Sequence, residues 1–257
     1  MVTIATRNLC ASLGRRPVLH EVTARFMPGE MIGIIGPNGS GKSTLVRAML
    51  GLVPVTQGEV TVDNRPLGTI APRELARQIA YLPQGQALHW PLSVERLILL
   101  GRLPHLGPLS RIADVDRNAV HAAMARADVA HLSGRIATEL SGGERARVLL
   151  ARALAVGAPA IVADEPLAAL DLGHQMDVMA LLRHEVDAGS LVVVVLHDLM
   201  MAARYCDRLL LMQDGRIVAE GPPSHVLDAD NLQRVYGVRA GFGFFEGKPA
   251  IIPLERL

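Results

Sequence analysis

The octapeptide Gly36-Pro37-Asn38-Gly39-Ser40-Gly41-Lys42-Ser43 has the spacing G-x-x-x-x-G-K-S. Glycines at those positions let successive backbone N–H groups turn inward around an anion, and a helix beginning near Lys42 points the positive end of its dipole at the same place. The chemistry that follows is binding of a nucleotide's phosphates. Lys42 supplies a point charge between the β- and γ-phosphates, the Ser43 hydroxyl is placed to ligate Mg²⁺, and Thr44 can bond a phosphate further along. The 26 basic residues include only two lysines, Lys42 and Lys248, so a lysine at this point of the pattern is a specific signal.

A second candidate is Ala160-Ile-Val-Ala-Asp164-Glu165, an apolar run ending in two adjacent acids. Ligands of α/β sheets bind beyond the carboxyl ends of the strands, where these acids fall. Alternation along a strand sends neighbouring side chains to opposite sides, so the two acids are expected to have different roles: Asp164 toward Mg²⁺ through water, Glu165 toward the attacking water as its base. Leu191 to Leu196 is another apolar run, and it ends in His197. If it belongs to the same sheet, His197 can reach a γ-phosphate or the attacking water. The other histidines show no H-x-x-x-H or cysteine-paired spacing, so a metal site built by the protein alone is not expected.

These groups need elements to hold them. Met31 to Ile35 is a short apolar run, and a helical pattern covers Lys42 to Leu50, so strand, glycine-rich turn and helix follow in order. The first 30 residues alternate apolar and polar and break at Gly14 and Pro28-Gly29, as short antiparallel strands do; Glu59 to Val62 reads as a further strand before the turn Asp63-Asn64. Between about Val94 and Ala155 the chain is rich in Ala, Arg and Leu at helical spacing. Strand-like runs return at Ala160 to Ala163, Leu191 to Leu196 and Arg208 to Met212, separated by helical stretches at Gly173 to Ala188 and Leu199 to Tyr205. Buried runs alternating with helices predict an α/β fold with a mainly parallel sheet covered on both faces.

Composition bounds the rest. With 257 residues, half of them apolar, and 26 basic against 25 acidic side chains, the chain can bury a full core and has no self-repulsion to keep it open. A net charge of +1 argues against nucleic-acid binding by bulk electrostatics. Cys10 and Cys206 lie far apart with no leader before them, which suits a reducing cytosol rather than a disulfide framework. No apolar stretch approaches the ~20 residues of a spanning helix, so any work at a membrane is expected to pass through a partner.

To this point the chain could be any hydrolase or kinase with a phosphate-binding loop. Leu140-Ser141-Gly142-Gly143-Glu144 narrows the choice: it opens a helical stretch, forms a second anion cradle, and resembles the signature loop of ATP-binding cassette (ABC) proteins. The resemblance covers essentially the whole chain. It implies an ABC ATPase core with a mainly parallel sheet, an N-terminal antiparallel β subdomain and an inserted α-helical subdomain. The expected single domain divides into a nucleotide-binding core at about 1–85 and 156–257 and a helical subdomain at about 86–155. It further implies a head-to-tail homodimer in which the signature loop of one subunit closes over the ATP held by its partner. Gln84, in Tyr81-Leu-Pro-Gln84, matches the glutamine that reaches Mg²⁺ and couples to the transporter; Asp171, in Ala168-Ala-Leu-Asp171, matches the acid that crosses the dimer; His197 matches the switch histidine. Two positions depart from the family pattern. Leu13 stands where an aromatic usually stacks on adenine, leaving Val18 for apolar contact, and Ala168 replaces a common Ser.

Gly101-Arg-Leu-Pro-His105, Gly221-Pro-Pro-Ser-His-Val-Leu227 and Tyr236-Gly-Val238 resemble the importer ATPases for iron-siderophore complexes, haem and cobalamin. The implied partners are a separate membrane permease and, indirectly, a periplasmic or extracellular substrate-binding protein, with the chain peripheral on the cytoplasmic side of the inner membrane. The stretch Gln84 to Pro108, with Trp90 and Pro91, is expected to face the permease. A zinc, manganese or amino-acid importer, or an exporter with a separate membrane subunit, is the alternative.

Overall fold

The computed structural model describes residues 1–85, 88–107, 109–168, 170–245 and 248–257. The chain opens with β1 (Ile4–Leu13), β2 (Arg16–Phe26) and β3 (Met31–Ile35), then α1 (Lys42–Met49), β4 (Val55–Val62), β5 (Arg65–Pro66), α2 (Pro72–Gln78) and β6 (Ile79–Leu82). Three helices follow, α3 (Val94–Leu99), α4 (Asp114–Arg126) and α5 (Gly142–Leu154). The second half alternates β7 (Ala160–Asp164), α6 (Leu172–Asp187), β8 (Leu191–Val195), α7 (Leu199–Tyr205), β9 (Arg208–Gln213) and β10 (Arg216–Gly221). It closes with the short helices α8 (Pro223–Val226) and α9 (Ala229–Asn231) and the strands β11 (Val238–Phe245) and β12 (Lys248–Arg256).

Among the described residues three sheets form: β2-β1-β4-β5, antiparallel; β10-β9-β3-β8-β7-β6, parallel except for β10; and the hairpin β11-β12. Every residue of β3, β7 and β8 is buried, as strands covered on both faces must be. Alternation divides their side chains between two cores. Ile32, Ile34, Val162, Val193 and Val195 pack with α1 and the antiparallel sheet. Met31, Ile35, Ile161, Val192 and Val194 pack with residues of α3 to α7.

Register decides where the chemistry falls. Ile34 and Asp164 both pair with Val195, and Leu82 pairs with Ala163. The carboxyl ends of β3, β6, β7 and β8 therefore lie in one row. The loops that leave them, carrying Gly36, Gln84, Glu165 and His197, emerge at one edge.

The hairpin β11-β12 and the edge strand β10 were not foreseen; Pro249 and Pro253 in β12 disguise a strand that belongs to a two-stranded sheet, where an unpaired edge tolerates proline. Cys10 and Cys206 are free thiols, and Cys206 is buried, its Sγ so close to Gly33 that a Cβ there would approach to 2.8 Å. Pro108 and Ala169, within stretches singled out above, lie outside the described residues.

Candidate functional site

The phosphate-binding loop is a glycine structure for two separable reasons. At Gly36 a Cβ would lie 2.2 Å from the Met212 carbonyl oxygen, so the loop can pass β9 only without a side chain. Gly41, immediately before α1, has φ +99°, in the left-handed region where L side chains are strained. The Lys42 ammonium is buried and donates to the Gly36 and Pro37 carbonyl oxygens at 2.9 and 3.0 Å. Burial pushes its pKa down, while the Glu165 and Asp164 carboxylates pull it up. The buried Ser40 hydroxyl in the same loop has no hydrogen-bond partner among the described residues, an orphan of the kind a ligand or water satisfies.

A cavity of about 430 Å³ opens over this loop. Asn38, Gly39 and Gly41 to Thr44 form its floor, the β1–β2 hairpin supplies Leu13, Arg16, Pro17, Val18 and His20, and Glu165 and Asp214-Gly215 complete the wall. The size suits one nucleotide. Leu13 is half exposed at the rim. The sequence reading did not name Arg16, His20 or Asp214: Arg16 and His20 share the hairpin of Leu13 and Val18, and the turn at Gly14 that pairs Leu13 with Arg16 is the signal for them, whereas Asp214, in the turn between β9 and β10, carries none.

Asp164 and Glu165 part company more sharply than strand alternation predicts. Asp164 ends β7, fully buried, and accepts from the Ser43 hydroxyl at 2.8 Å and from the Tyr81 hydroxyl at 3.4 Å, with the Arg47 guanidinium 3.8 Å away. Burial raises its pKa, partly opposed by the Ser43 hydrogen bond and by Arg47. Glu165 has left the strand with φ +53°, a conformation uncommon outside glycine. That turn brings its carboxylate between two donors: Gln84 Nε2 donates to Oε2, and His197 Nε2 lies 2.6 Å from Oε1. The Gln84 side chain meets Glu165 through Nε2, which leaves its amide oxygen available to a metal.

Ser43, Asp164 and Gln84 fit the modest protein contribution Mg²⁺ takes beside nucleotide phosphates, one carboxylate with neutral oxygens. Among the described residues no cluster of three or more His, Cys, Asp or Glu competes for the ion.

The segment Ser141 to Glu144 is built but contributes no residue to the cavity around Lys42. Ser141 caps α5: its hydroxyl accepts from Glu144 N, and Glu144 Oε2 accepts from Ser141 N at 2.8 Å, a reciprocal capping box. Arg135 steadies Glu144 at 2.9 Å. With Ser141 and Glu144 bound to each other, the exposed Ser141 and Gly142 face outward. Leu140 is buried beneath them. Asp171 caps α6, accepting from His174 N at 2.9 Å.

The stretch Gly101 to His105 turns inward. Gly101 touches α5 so closely that a Cβ would sit 2.2 Å from the Arg152 carbonyl oxygen. Arg102, 7% exposed, donates to Ala155 O, Val156 O and Asp116 Oδ1, and His105 Nε2 lies 2.8 Å from Val156 O. The motif thus ties the segment after α3 to the end of α5 and the start of α4. Trp90 and Leu103 remain outside, 73% and 59% exposed. Tyr236, in the third importer-like run, is partly buried near the Gly36 amide, and desolvation pushes its phenol pKa up.

No helix among the described residues is long and apolar enough to cross a membrane. The sequence profile of the ABC transporter family matches residues 19–168. The hemin import ATP-binding protein HmuV of Streptomyces coelicolor is 48% identical over 235 residues, spanning 91% of this chain and 83% of the relative. The cobalamin import ATP-binding protein BtuD of Halobacterium salinarum is 40% identical over 243 residues, spanning 94% of this chain and 61% of its own. An ATP-binding cassette of an ABC transporter, MJ1267 in its ADP conformation, superposes with a TM-score of 0.82 at 28% identity over 92% of this chain and 98% of that one. A chain of an ABC transporter in an inward-facing conformation shares the fold, with a TM-score of 0.86 at 24% identity over 99% and 98%. The family match over more than half of the chain and the relatives at 40–48% identity agree, and the chain belongs to the ABC transporters as one of their ATP-binding cassette ATPases.

Proposed function

We propose that this chain hydrolyses ATP to drive import of a metal chelate of the haem, ferric-siderophore or cobalamin class through a separate membrane permease. The observation that carries the reading is 40–48% identity, over about nine-tenths of the chain, to ATP-binding proteins named for hemin and cobalamin import. The inward-turned Gly101 to His105 segment supports it as a feature of the folded core. The chain acts at the cytoplasmic face of the inner membrane, and a substrate-binding protein delivers the chelate from the other side.

The working unit is a head-to-tail homodimer. What supports this is the separation of the two anion cradles: Lys42 and its loop line one cavity, while Ser141 and Gly142 stand outside it and face outward. A second subunit turned head to tail would bring the outward cradle over the first one's nucleotide, with Asp171 crossing alongside. The nucleotide-binding core comprises about 1–85 and 156–257, the helical subdomain about 86–155, and Trp90 and Leu103 offer exposed apolar groups to the permease.

In the reaction, Lys42 exchanges its bonds to Gly36 and Pro37 for phosphate oxygens, and the loop amides hold the remaining charge. Glu165 accepts a proton from the water that attacks the γ-phosphorus; the bond to the β–γ bridging oxygen breaks, leaving ADP and phosphate. His197 and Gln84 hold the two Glu165 oxygens and so aim the base. Ser43, Asp164 and Gln84 would hold Mg²⁺, which neutralises charge on the phosphate oxygens. ATP closes the dimer, and hydrolysis reopens it.

Uptake of labelled haemin, a ferric siderophore and cobalamin by cells lacking this gene tests the reading. Uptake of one of the three should fall and be restored by the parent gene but not by Glu165→Gln. Loss of zinc, manganese or amino-acid uptake, with chelates unaffected, would assign the chain to another importer.

A further inference from the structure

The side chain of His174, in the first turn of α6, touches two loops at once. Its Nδ1–H donates to Asp171 Oδ1 at 2.8 Å, the same oxygen that accepts from the His174 backbone N–H at 2.9 Å. The other edge of the ring lies against the second residue of α5: a Cβ on Gly143 would come within 2.5 Å of His174 Cδ2 and 2.6 Å of Nε2. Gly143 is buried, and a side chain there would collide with the imidazole unless the ring moved. The carboxylate fixes the proton on Nδ1, which sets the ring's orientation.

We propose that His174 is a positioning residue that clasps the Asp171 loop to the signature loop of its own subunit, so that the two segments meeting the partner move as one body. The inference rests on the head-to-tail dimer proposed above. Two loops on independent hinges would each lose conformational freedom when the dimer closes; loops already joined through one imidazole lose it together, and less is lost on association. A nucleotide engaged by the signature loop is then mechanically connected to the crossing Asp171.

The test has two arms. Hydrogen exchange on the isolated subunit reads the clasp without the dimer: in His174→Ala, the amides of residues 141–145 and of the backbone around Asp171 should exchange at least about 10-fold faster, with residues 36–44 unchanged. His174→Phe, which keeps a ring against Gly143, and His174→Asn, which keeps a donor for Asp171, should each release one loop only. Unchanged exchange at 141–145 in His174→Ala would overturn the proposal. The second arm measures Mg-ATP-driven dimerisation by light scattering in a Glu165→Gln background. Adding His174→Ala should raise the dimer dissociation constant about 10-fold or more while the monomer's affinity for a fluorescent ATP analogue changes less than twofold. Dimerisation as tight as the background would also overturn it. A background that binds ATP yet stays monomeric would defeat the dimer reading, and the exchange arm would then decide the clasp by itself.

Discussion

His197 Nε2 stands 2.6 Å from Glu165 Oε1, joining the second residue after β8 to the first residue after β7 across the edge where the phosphate loop emerges. With Gln84 on the other oxygen, the base has both oxygens oriented by neighbours. Glu165→Gln should bind ATP about as well as the parent and turn it over at least about 10²-fold more slowly, the usual worth of a positioned general base. His197→Ala leaves the carboxylate in place but unaimed, so its turnover should fall between those of parent and Gln variant. Lys42→Ala should instead lose ATP affinity, because its charge acts on the ground state as well as on the transition state. Equilibrium binding and single-turnover kinetics separate these outcomes; near-parental turnover in Glu165→Gln would remove it as the base.

Asp164 is an acid held in a place that disfavours its charge, since burial raises its pKa. Such a group opposes folding in full above its folded pKa, and the penalty disappears as pH falls toward the unfolded value of about 3.9. Asp164→Asn should therefore melt higher than the parent without nucleotide at neutral pH, by about 2 °C or more. The gap should close on acidification. The variant should also need more Mg²⁺ for turnover. Equal melting temperatures from pH 5 to 8 would contradict the account.

Arg102 and Asp116 show the opposite sign. The Arg102 hydrogen bond holds the Asp116 carboxyl below the usual carboxylate range, with the Ala113 backbone N–H adding to it. That stability is complete above the unfolded pKa of about 3.9 and is lost as pH falls through the folded value. Arg102→Ala should cost about 3 kcal/mol by leaving a buried carboxylate unpaired. Denaturant titration measures the loss, and Asp116→Asn should flatten the acid limb of the stability profile.

Leu13 and Arg16 face the cavity from opposite strands of one hairpin. Leu13→Tyr supplies the aromatic face that the adenine otherwise lacks and should tighten ATP by about 0.5–1.5 kcal/mol, roughly 2- to 12-fold. Affinity for inorganic tripolyphosphate should not change. Calorimetry with both ligands distinguishes stacking from a rearranged loop.

A cysteine at Trp90 or Leu103, both exposed, should crosslink to the copurified permease. Leu88 packs against the main core, so a cysteine there should fail. Crosslinks from neither exposed position would move the docking surface elsewhere.

The glycine turn before α1, the acids at the end of β7 and the start of α5 at Ser141 were legible in the sequence because each is a local device. A glycine, a cap or a strand end works within a few residues of its own position, and spacing records it. The central strands were legible for a related reason: burial on both faces demands continuous apolar runs such as Leu191 to Val195. The divergence of Asp164 and Glu165 is local too: alternation predicts a separation, and the positive φ at Glu165 enlarges it.

What spacing could not record was contact between distant segments. Gln84 to Glu165, His174 to Gly143 and Arg102 to Asp116 are each held by the register and packing of elements that carry no mark of one another. The same holds for Asp214 at the cavity. A motif states which chemistry a residue can perform; the partner that aims it is chosen only when parallel strands align their carboxyl ends and helices close over them, because hydrogen bonds and close packing act over a few ångströms of space rather than over any interval of sequence.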